Sequence, residues 1–388
     1  MVAVRLPPGE RWLGIVDRTL SAEAALVAVD HRLPPPAVGS LLGRARPTLL
    51  VDEDGWRRLP SGRPTDPAVA VIVATSGSSG RPRLVELSRG AVSRAVSASL
   101  QQLGAGPEDG WVSCLPLSHI GGLLVVLRGV LGGAKVRFQR PGQLAPPPGH
   151  RFVSVVPTQL VRALDDGLDL RGYRAMLVGG SGMEDALGER AVAAGAPCVV
   201  TYGLTQSCGG VVYDGLPLPG VGIRVSDLGE VELGGPTLLS GYRDGAGPGL
   251  TADGWLRTGD AGRLDGAGRL HVRGRIDELI VTGGEKVWPA EVEEALRSHP
   301  GVADCAVFGR PDPVWGTLVV AAVVPREPEA APTLAALRDQ VGTILGRHQA
   351  PRELVLVDSL PRTPLGKLRR GALGSEAKSR SRRSDDPG

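Results

Sequence analysis

The chain has 388 residues, of which 42% are hydrophobic, so it is long enough to bury a sizeable core and to form two or three domains. Its 44 Lys and Arg residues against 41 Asp and Glu residues give a formal net charge of +3, which indicates neither a nucleic-acid partner nor a membrane partner. The longest apolar stretch, residues 120–133, is too short to span a bilayer and contains Arg128.

The cysteines and the first residues indicate the compartment. None of the four cysteines forms a CxxC pair, so a zinc site is not expected, and scattered single cysteines are typical of a reducing compartment. The first ten residues include two prolines, where a signal peptide needs an apolar core. These features predict a cytoplasmic protein.

Alternating strands and helices are predicted in the first half of the chain. Short β-branched runs at residues 69–76, 151–158, 174–181 and 196–203 predict strands, and residues 89–103, 158–166 and 182–195 can form helices. This alternation predicts a largely parallel sheet covered by helices. Each strand ends in a cluster of Gly, Ser or Thr, and ligands of open α/β sheets bind beyond these carboxyl ends. We therefore expect the site to be assembled from those clusters.

The pattern changes twice in the second half. After Tyr213 the runs are short, alternating and separated by turns, which predicts a small antiparallel β-barrel portion at about 214–274, within an N-terminal α/β domain of residues 1–274. Helices at 289–299 and 333–348 among further strands predict a small α+β domain at 275–372. Residues 373–388 are polar and basic without an apolar period, which predicts a disordered tail.

The segment ATSGSSGRPR, residues 74–83, follows a predicted buried strand and suits an anion. Backbone N–H groups of a Gly-rich turn form a concave site for anionic oxygen, to which the hydroxyls and arginines add donors and charge. A triphosphate is the expected guest, although the GxxxxGK[ST] motif is absent. A flexible surface loop is the alternative. The predicted phosphate-binding residues are Thr75, Ser76, Gly77, Ser78, Ser79, Gly80 and Arg83.

Seven further motifs follow this loop in order. They are LPLSHIGGL, VPTQL, VGGSG, TYGLTQSCGG, WLRTGD, GRIDELIVTGGEKVWPAEVE and PRTPLGKLRR. In this order and spacing they resemble the adenylate-forming superfamily of acyl-CoA synthetases, luciferases and peptide-synthetase adenylation domains, over about residues 71–370. Residues 201–221 resemble the o-succinylbenzoate–CoA ligases of menaquinone synthesis, particularly compact actinobacterial ones.

The resemblance implies a reaction in two halves. A carboxylate attacks the α-phosphorus of ATP to give acyl-AMP and pyrophosphate, and a thiol, usually that of CoA, then displaces AMP. The implied substrates are ATP, CoA and a carboxylic acid, with Mg²⁺ on the phosphates. The implied small domain is mobile and rotates between the two half-reactions, and family members are often homodimers.

The resemblance also implies roles for individual residues. Lys367 would bridge the carboxylate and the α-phosphate, Arg275 would support the ribose and phosphate, and His119 would flank the acyl pocket and thiol path. Asp260 would accept both ribose hydroxyls and Asp277 would be the hinge. The remaining implied residues contact adenine or phosphate, or line the pantetheine tunnel: Gly179, Gly180, Ser181, Tyr202, Gly203, Thr205 and Gln206, and then Gly283 and Gly284.

Two residues depart from the superfamily pattern. Gln206 stands where a Glu usually helps to hold magnesium, and an amide oxygen is a weaker, neutral ligand for a hard cation. With Thr75 and Gln206 as the only expected protein ligands, magnesium would rest mainly on phosphates and water, and Gln206→Glu is predicted to raise activity. Arg83 stands where Lys is usual, and because it keeps the charge little loss is expected.

Alternatives to these roles remain. Tyr202 could be a core aromatic, Asp260 a turn or cap residue, Lys367 one more cation of a basic tail, and His119 a structural histidine. A free-standing enzyme that loads a carrier protein, or a degenerate nucleotide-binding protein, would share most motifs. A second carboxylate on the substrate would need a cationic or hydroxyl-rich pocket end, for which the candidates are Arg128, Arg162, Ser181 and Ser207.

Overall fold

The computed structural model describes residues 1–75, 82–140, 142–362, 368–370 and 372–373. The predicted loop residues Ser76, Gly77, Ser78, Ser79 and Gly80, the predicted catalytic Lys367 and residues 374–388 of the predicted tail lie outside the described residues. Leu373, the first residue of the predicted tail, is described and is buried.

Eight α-helices form where the sequence alternates apolar and polar residues with helical spacing or is apolar throughout. They are α1 (Arg11–Ser21), α2 (Pro35–Ala45), α3 (Arg89–Leu103), α4 (Ile120–Gly132), α5 (Pro157–Asp165), α6 (Asp185–Ala193), α7 (Pro289–Arg297) and α8 (Leu334–Ile344) within the described residues. All five helices that the sequence predicts are present. The ends of α3 have local causes, since the Ser88 side chain accepts a hydrogen bond from Ala91 N and Gly104 takes a left-handed conformation.

The first of two seven-stranded sheets contains the N-terminal segment and the strand before the predicted phosphate loop. Its central strands are parallel and its outer strands are antiparallel. In spatial order the strands are Gly241–Tyr242, Leu84–Ser88, Val69–Ala74, Leu26–Ala28, Val2–Val4, Leu49–Asp52 and Gly55–Arg58.

The second seven-stranded sheet contains the other three strands predicted in the first half. Five of its strands are parallel, and two antiparallel strands extend it at one edge. In spatial order the strands are Leu216–Pro217, Gly209–Tyr213, Cys198–Leu204, Ala175–Val178, His150–Val155, Gly110–Ser113 and Val136–Phe138. The predicted largely parallel sheet is therefore two mixed sheets with parallel centres.

Helices α1, α3 and α4 fill the space between the two sheets. Trp12, Val96 and Leu123 of these helices pack with Val71 and Leu87 of the first sheet in one core cluster, and α3 and α4 also contact the second sheet. The outer face of the first sheet packs on α2, and the outer face of the second packs on α5 and α6. Helix α4 is apolar on all sides because both neighbouring layers are protein.

The small α+β domain predicted after the barrel portion is present. Its three-stranded sheet contains Val302–Asp312, Gly316–Pro325 and Glu353–Leu356, with α7 and α8 packed on one face and Leu360 and Leu373 on the other. Two smaller sheets complete the described fold. Their strands are Gly222–Val225, Glu230–Gly234, Leu256–Leu264 and Leu270–Arg275 in one, and Ile280–Thr282 and Glu285–Val287 in the other.

Contacts divide the chain into two compact units. The first contains Met1–Arg224, Glu232–Thr258 and Leu264–Leu270, and the second contains Val225–Val231, Gly259–Arg263 and His271–Gly388. The predicted limits at 214, 274 and 372 stay predictions. None of the helices in the described ranges has the length and apolar character that a membrane crossing requires.

Helix α4 offers a test of the two-sided core. Leu123→Ala should lower the free energy of unfolding by about 2–5 kcal/mol, because Leu123 is 0% exposed and its removal leaves a cavity between the sheets. The matched control on the same helix is Leu131→Ala, because Leu131 is 45% exposed and should change stability by about 0.5 kcal/mol or less. Equal urea midpoints for the two variants would contradict the two-sided burial of α4.

Candidate active site

The described ends of the predicted phosphate loop are paired. The backbone N–H of Thr75 donates to the carbonyl of Arg83 over 2.8 Å, and the backbone N–H of Arg83 donates to Thr75 Oγ1 over 3.0 Å. The loop therefore leaves and re-enters the first sheet at one point. The Thr75 hydroxyl is partly engaged in closing the loop.

The Arg83 side chain is held by a residue that the sequence analysis did not select. Its guanidinium carbon lies 3.3 Å from the centre of the Tyr242 ring, and its Nε lies 3.9 Å from Asp244 Oδ2. The Arg83 side chain is half exposed, so the stacked guanidinium keeps an open side. No sequence motif includes Tyr242, because its contact with the end of the loop depends on the pairing of strand Gly241–Tyr242 with strand Leu84–Ser88.

Tyr202 and Gly203 lie on strand Cys198–Leu204, at an irregularity in its pairing with strand Gly209–Tyr213. A Cβ atom at Gly203 would lie 1.9 Å from the carbonyl oxygen of Gly209, so no other residue fits there without separating the strands. Tyr202, directly before this irregularity, is half buried.

Gly179 and Gly180 follow the neighbouring strand, Ala175–Val178. A Cβ at Gly179 would lie 2.4 Å from Thr201 Oγ1, and Gly180 has a φ of +87°. The turn therefore brings backbone close to the strand that carries Tyr202. Ser181 is exposed at its end. A ligand could contact this turn only through backbone atoms and the Ser181 hydroxyl.

Thr205 and Gln206 lie in a short 3₁₀ turn, Thr205–Ser207, directly after Tyr202 and Gly203. The backbone carbonyl of Gln206 accepts a hydrogen bond from the backbone N–H of Leu239 over 2.7 Å. The side-chain Nε2 of Gln206 donates to the Tyr242 hydroxyl over 3.4 Å. Tyr242 thus contacts both predicted departures from the superfamily, Arg83 and Gln206.

The predicted metal ligands Thr75 and Gln206 offer neutral oxygen atoms. Oxygen donors suit a hard cation such as Mg²⁺. Across the described residues there is no group of three or more His, Cys, Asp or Glu side chains that could hold a metal ion. The available donors fit a magnesium ion whose main ligands are phosphate oxygens and water.

Asp260, Arg275 and Asp277 form one cluster in the second unit. Arg275 Nη1 lies 3.2 Å from Asp260 Oδ1, and its Nε donates to Asp277 Oδ1 over 3.2 Å. Burial acts to lower the pKa of Arg275, but the attraction of Asp260 and Asp277 outweighs it and raises that pKa. The guanidinium also lies against Gly259, where a Cβ would be 2.7 Å from Nη2. The predicted ribose acceptor, support and hinge are therefore in contact.

His119 is the N-terminal cap residue of α4 and is half buried. Burial lowers the pKa of its imidazole, with Asp30 acting in the opposite direction and Arg32 in the same one. The ring is therefore mainly neutral at pH 7. A cavity of about 190 Å³ is lined by the preceding residue, Ser118, and by Asp30 and Arg32.

Gly283 and Gly284 form the turn of the hairpin Ile280–Val287. Both have positive φ, +56° and +88°. A Cβ at Gly283 would lie 2.9 Å from the Trp315 ring, whereas one at Gly284 would meet nothing within 4 Å. Glycine at position 283 thus has a packing reason in addition to the predicted role in the tunnel.

Two parts of the chain match known protein families. Residues 52–243 match the family described as AMP-binding enzyme, and residues 291–367 match the AMP-binding enzyme C-terminal domain. The probable 2-succinylbenzoate–CoA ligase of Mycobacterium tuberculosis (strain ATCC 25618 / H37Rv) is 39% identical over 388 residues, covering 96% of this chain and 94% of that protein. The chain belongs to the AMP-binding enzyme family.

Solved structures agree with this membership. The o-succinylbenzoate CoA synthetase of Bacillus subtilis in complex with its acyl-adenylate intermediate has a TM-score of 0.82 and 26% identity, covering 96% of this chain and 87% of that chain. The same synthetase in complex with ATP and magnesium ion has a TM-score of 0.81 and 25% identity, covering 96% and 88%.

These similarities confirm the predicted superfamily and α/β fold class. They also confirm the predicted class of activity, an AMP-forming acid–CoA ligase that uses ATP, magnesium ion and CoA. The roles of the individual residues stay predictions.

Among the candidates for a second carboxylate, this AMP-binding enzyme buries only Arg128 and Ser207. Arg162 and Ser181 are exposed. Ser207 is already satisfied, since its hydroxyl accepts from Leu204 N over 2.8 Å and contacts the carbonyls of Leu204 and Gly209.

Arg128 lies inside the protein, between α4 and the second sheet. Its Nε and Nη2 donate to Ser99 Oγ over 3.2 and 3.0 Å, and Nη2 lies 3.5 Å from the Tyr213 hydroxyl. The guanidinium carbon lies 4.4 Å from the centre of the Trp111 ring. Within the described residues, Arg128 Nη1 and Trp111 Nε1 are buried donors without a hydrogen-bond partner. Burial lowers the pKa of Arg128, as expected for a cation without an anionic partner.

Gly203 supplies the test of the Tyr202 strand. Gly203→Ala should lower the free energy of unfolding by roughly 2–4 kcal/mol, because the added Cβ would overlap the Gly209 carbonyl and part the two strands. Gly182→Ala is the control, because a Cβ there meets nothing within 4 Å and should change stability by about 0.5 kcal/mol or less. Unfolding in urea measures both. An unchanged midpoint for Gly203→Ala would contradict the close strand approach.

Proposed function

We propose that this enzyme is a 2-succinylbenzoate–CoA ligase. A carboxylate oxygen of 2-succinylbenzoate attacks the α-phosphorus of ATP, the bond to the β-phosphate breaks, and pyrophosphate leaves. The thiol sulfur of CoA then attacks the acyl carbon of the adenylate, AMP leaves, and the thiol proton passes to solvent or to a base. The family and the 39% identity to a probable ligase of this type support the proposal.

The observation that carries the choice of acid is Arg128. It is 3% exposed and has no carboxylate partner among the described residues. A buried cation without an anion is costly unless a ligand provides the charge. 2-Succinylbenzoate has two carboxylates, of which one is activated and the other is available to pair. The unpartnered Nη1 of Arg128 and Nε1 of Trp111 both donate, which suits that second carboxylate.

The nucleotide would be held by groups from several strand ends. In this proposal the Asp260 carboxylate accepts the ribose hydroxyls while its ion pair with Arg275 holds it in place. Tyr202 packs on adenine, and the Gly179–Gly180 turn approaches through backbone N–H groups. Lys367 keeps its predicted role at the carboxylate and the α-phosphate, since a compact cation can follow charge between two oxygens.

Charge neutralisation on the triphosphate would be shared. Arg83 is a fixed cation at the exit of the phosphate loop, and Thr75 begins the loop with its hydroxyl. Magnesium, held by Thr75, Gln206 and phosphate oxygens, would supply further neutralisation. Phosphoryl transfer depends on such positioning and charge more than on covalent help from the protein.

A carrier protein in place of CoA is the second candidate acceptor, and it shares the adenylation half of the reaction. The predicted cytoplasmic location, the predicted homodimer, and the expectation that no nucleic acid or membrane takes part stay predictions.

Product analysis tests the proposed function. Purified protein is mixed with ATP, magnesium, CoA and 2-succinylbenzoate, and the products are identified by mass spectrometry. The thioester together with AMP is the expected result. The acyl-adenylate without thioester would indicate a carrier-protein acceptor. The absence of both products, while another acid is turned over, would overturn the assignment of the acid.

Arg128→Met tests the binding of the second carboxylate. The KM for 2-succinylbenzoate should rise by about 30-fold or more, because one carboxylate is then buried without its cation. For an analogue that lacks the second carboxylate, the same substitution should raise the KM by no more than about threefold. Arg162→Met on the exposed face of α5 is the control and should leave both KM values unchanged. Equal changes for acid and analogue would contradict the pairing.

A further inference from the structure

Tyr242 lies at the edge of the first sheet and is fixed there by its backbone. Its strand pairs with Leu84–Ser88, so that Tyr242 faces Val85, two residues after Arg83. The backbone N–H of Tyr242 donates to Ala246 O over 3.0 Å, and Gly245 N donates back to Tyr242 O over 2.9 Å. The side chain is 8% exposed. The backbone position of Tyr242 is therefore set by the sheet and the following turn.

The ring of Tyr242 sets the position of Arg83. The guanidinium lies 3.3 Å from the ring centre, a stacked distance at which the flat Arg group makes full contact with the aromatic face. A Lys at position 83 would provide a point charge but no plane to stack. The Arg83 backbone also closes the phosphate loop on Thr75. One residue thus links the ring to the loop.

The hydroxyl of Tyr242 meets Gln206. The Gln206 amide nitrogen donates to this oxygen over 3.4 Å. The amide oxygen then points away from the Tyr242 hydroxyl and can bind a cation or a water molecule on that cation. A second link joins the same segments, because Leu239 N donates to the Gln206 carbonyl over 2.7 Å. The turn at Thr205–Ser207 is therefore tied to the segment that ends at Tyr242.

We propose that Tyr242 is a positioning residue that couples Arg83 to Gln206, so that the phosphate-loop cation and the metal-side amide act as a unit on the bound nucleotide. This rests on the proposed function, which brings ATP to these residues. The two departures from the superfamily pattern are then one adaptation. The planar Arg83 is retained by the ring, and its fixed positive charge neutralises part of the phosphate charge that a magnesium ion held by the neutral Gln206 would neutralise less well.

The coupling predicts distinct effects for two substitutions at Tyr242. Tyr242→Leu removes the ring and should raise the KM for MgATP by about 3- to 20-fold, the range of a lost cation–π contact. Tyr242→Phe keeps the ring, so the KM for MgATP should stay within about twofold. It removes the hydroxyl that orients Gln206, so the magnesium concentration for half-maximal activity should rise by about threefold. The readout is acid-dependent exchange of pyrophosphate into ATP.

Double variants separate coupling from a merely structural role. If the residues are coupled, Arg83→Lys should lower kcat/KM for ATP much less in the Tyr242→Leu variant than in the wild type. The two losses should differ by about threefold or more. Likewise Gln206→Glu should change the magnesium dependence less in Tyr242→Phe than in the wild type. Independent, multiplying effects in both pairs would overturn the proposal.

A second Tyr→Phe variant controls for the removal of a tyrosine hydroxyl elsewhere in the protein. Tyr173→Phe removes a buried hydroxyl that has no hydrogen-bond partner in the described part of the chain, and it should leave both KM and magnesium dependence unchanged. Wild-type exchange with 2-succinylbenzoate tests the proposed function separately. If that acid supports no exchange, the same variants are compared by MgATP binding in calorimetry. There, identical affinities for wild type and Tyr242→Leu would overturn the coupling, and a 3- to 20-fold loss would support it.

Discussion

The position of α4 between two sheets is the constraint on which the rest of the first unit depends. Because the helix is covered on both sides, every side chain on it must be apolar or must be matched by a buried partner. Its side chains are apolar except at Arg128, which donates to the buried Ser99 but keeps Nη1 without a hydrogen-bond partner among the described residues. The helix is also preceded by His119 as its N-terminal cap residue. A single buried element therefore fixes one predicted catalytic residue at its start and, within it, one cation that has no carboxylate partner among the described residues.

The electrostatics of the candidate site follow a related pattern, in which the chain supplies fixed cations and neutral oxygens. Arg83 is held by an aromatic ring and Arg275 by two carboxylates, so each charge has a defined place before a nucleotide arrives. Fixed charges of this kind cost little reorganisation during phosphoryl transfer. The carboxylates of Asp260 and Asp277 are the exceptions, and both are paired with Arg275.

Local signals in the sequence were sufficient where the chain determines its own conformation. Helix α3 was predicted from its composition and begins and ends at its predicted residues, since Ser88 caps it and Gly104 terminates it. Loop residues such as Thr75 were predicted to bind phosphate because glycines and hydroxyls follow a buried strand, and this role stays a prediction. The contact between Asp260 and Arg275 could not be read from either motif, because it depends on how separate strands return to one place.

Tyr242 and Arg128 show the limit of such reading most clearly. The pairing of Tyr242 with Val85 joins segments far apart in the chain, and no motif in residues 240–244 predicts it. Arg128 within an apolar helix could equally have extended its charge to solvent. Only the packing of the second sheet shows that it does not. A buried cation of this kind lowers the stability of the free enzyme. In the proposed function, the second carboxylate of the acid would offset that cost, and Arg128 would thereby favour an acid with a second negative charge.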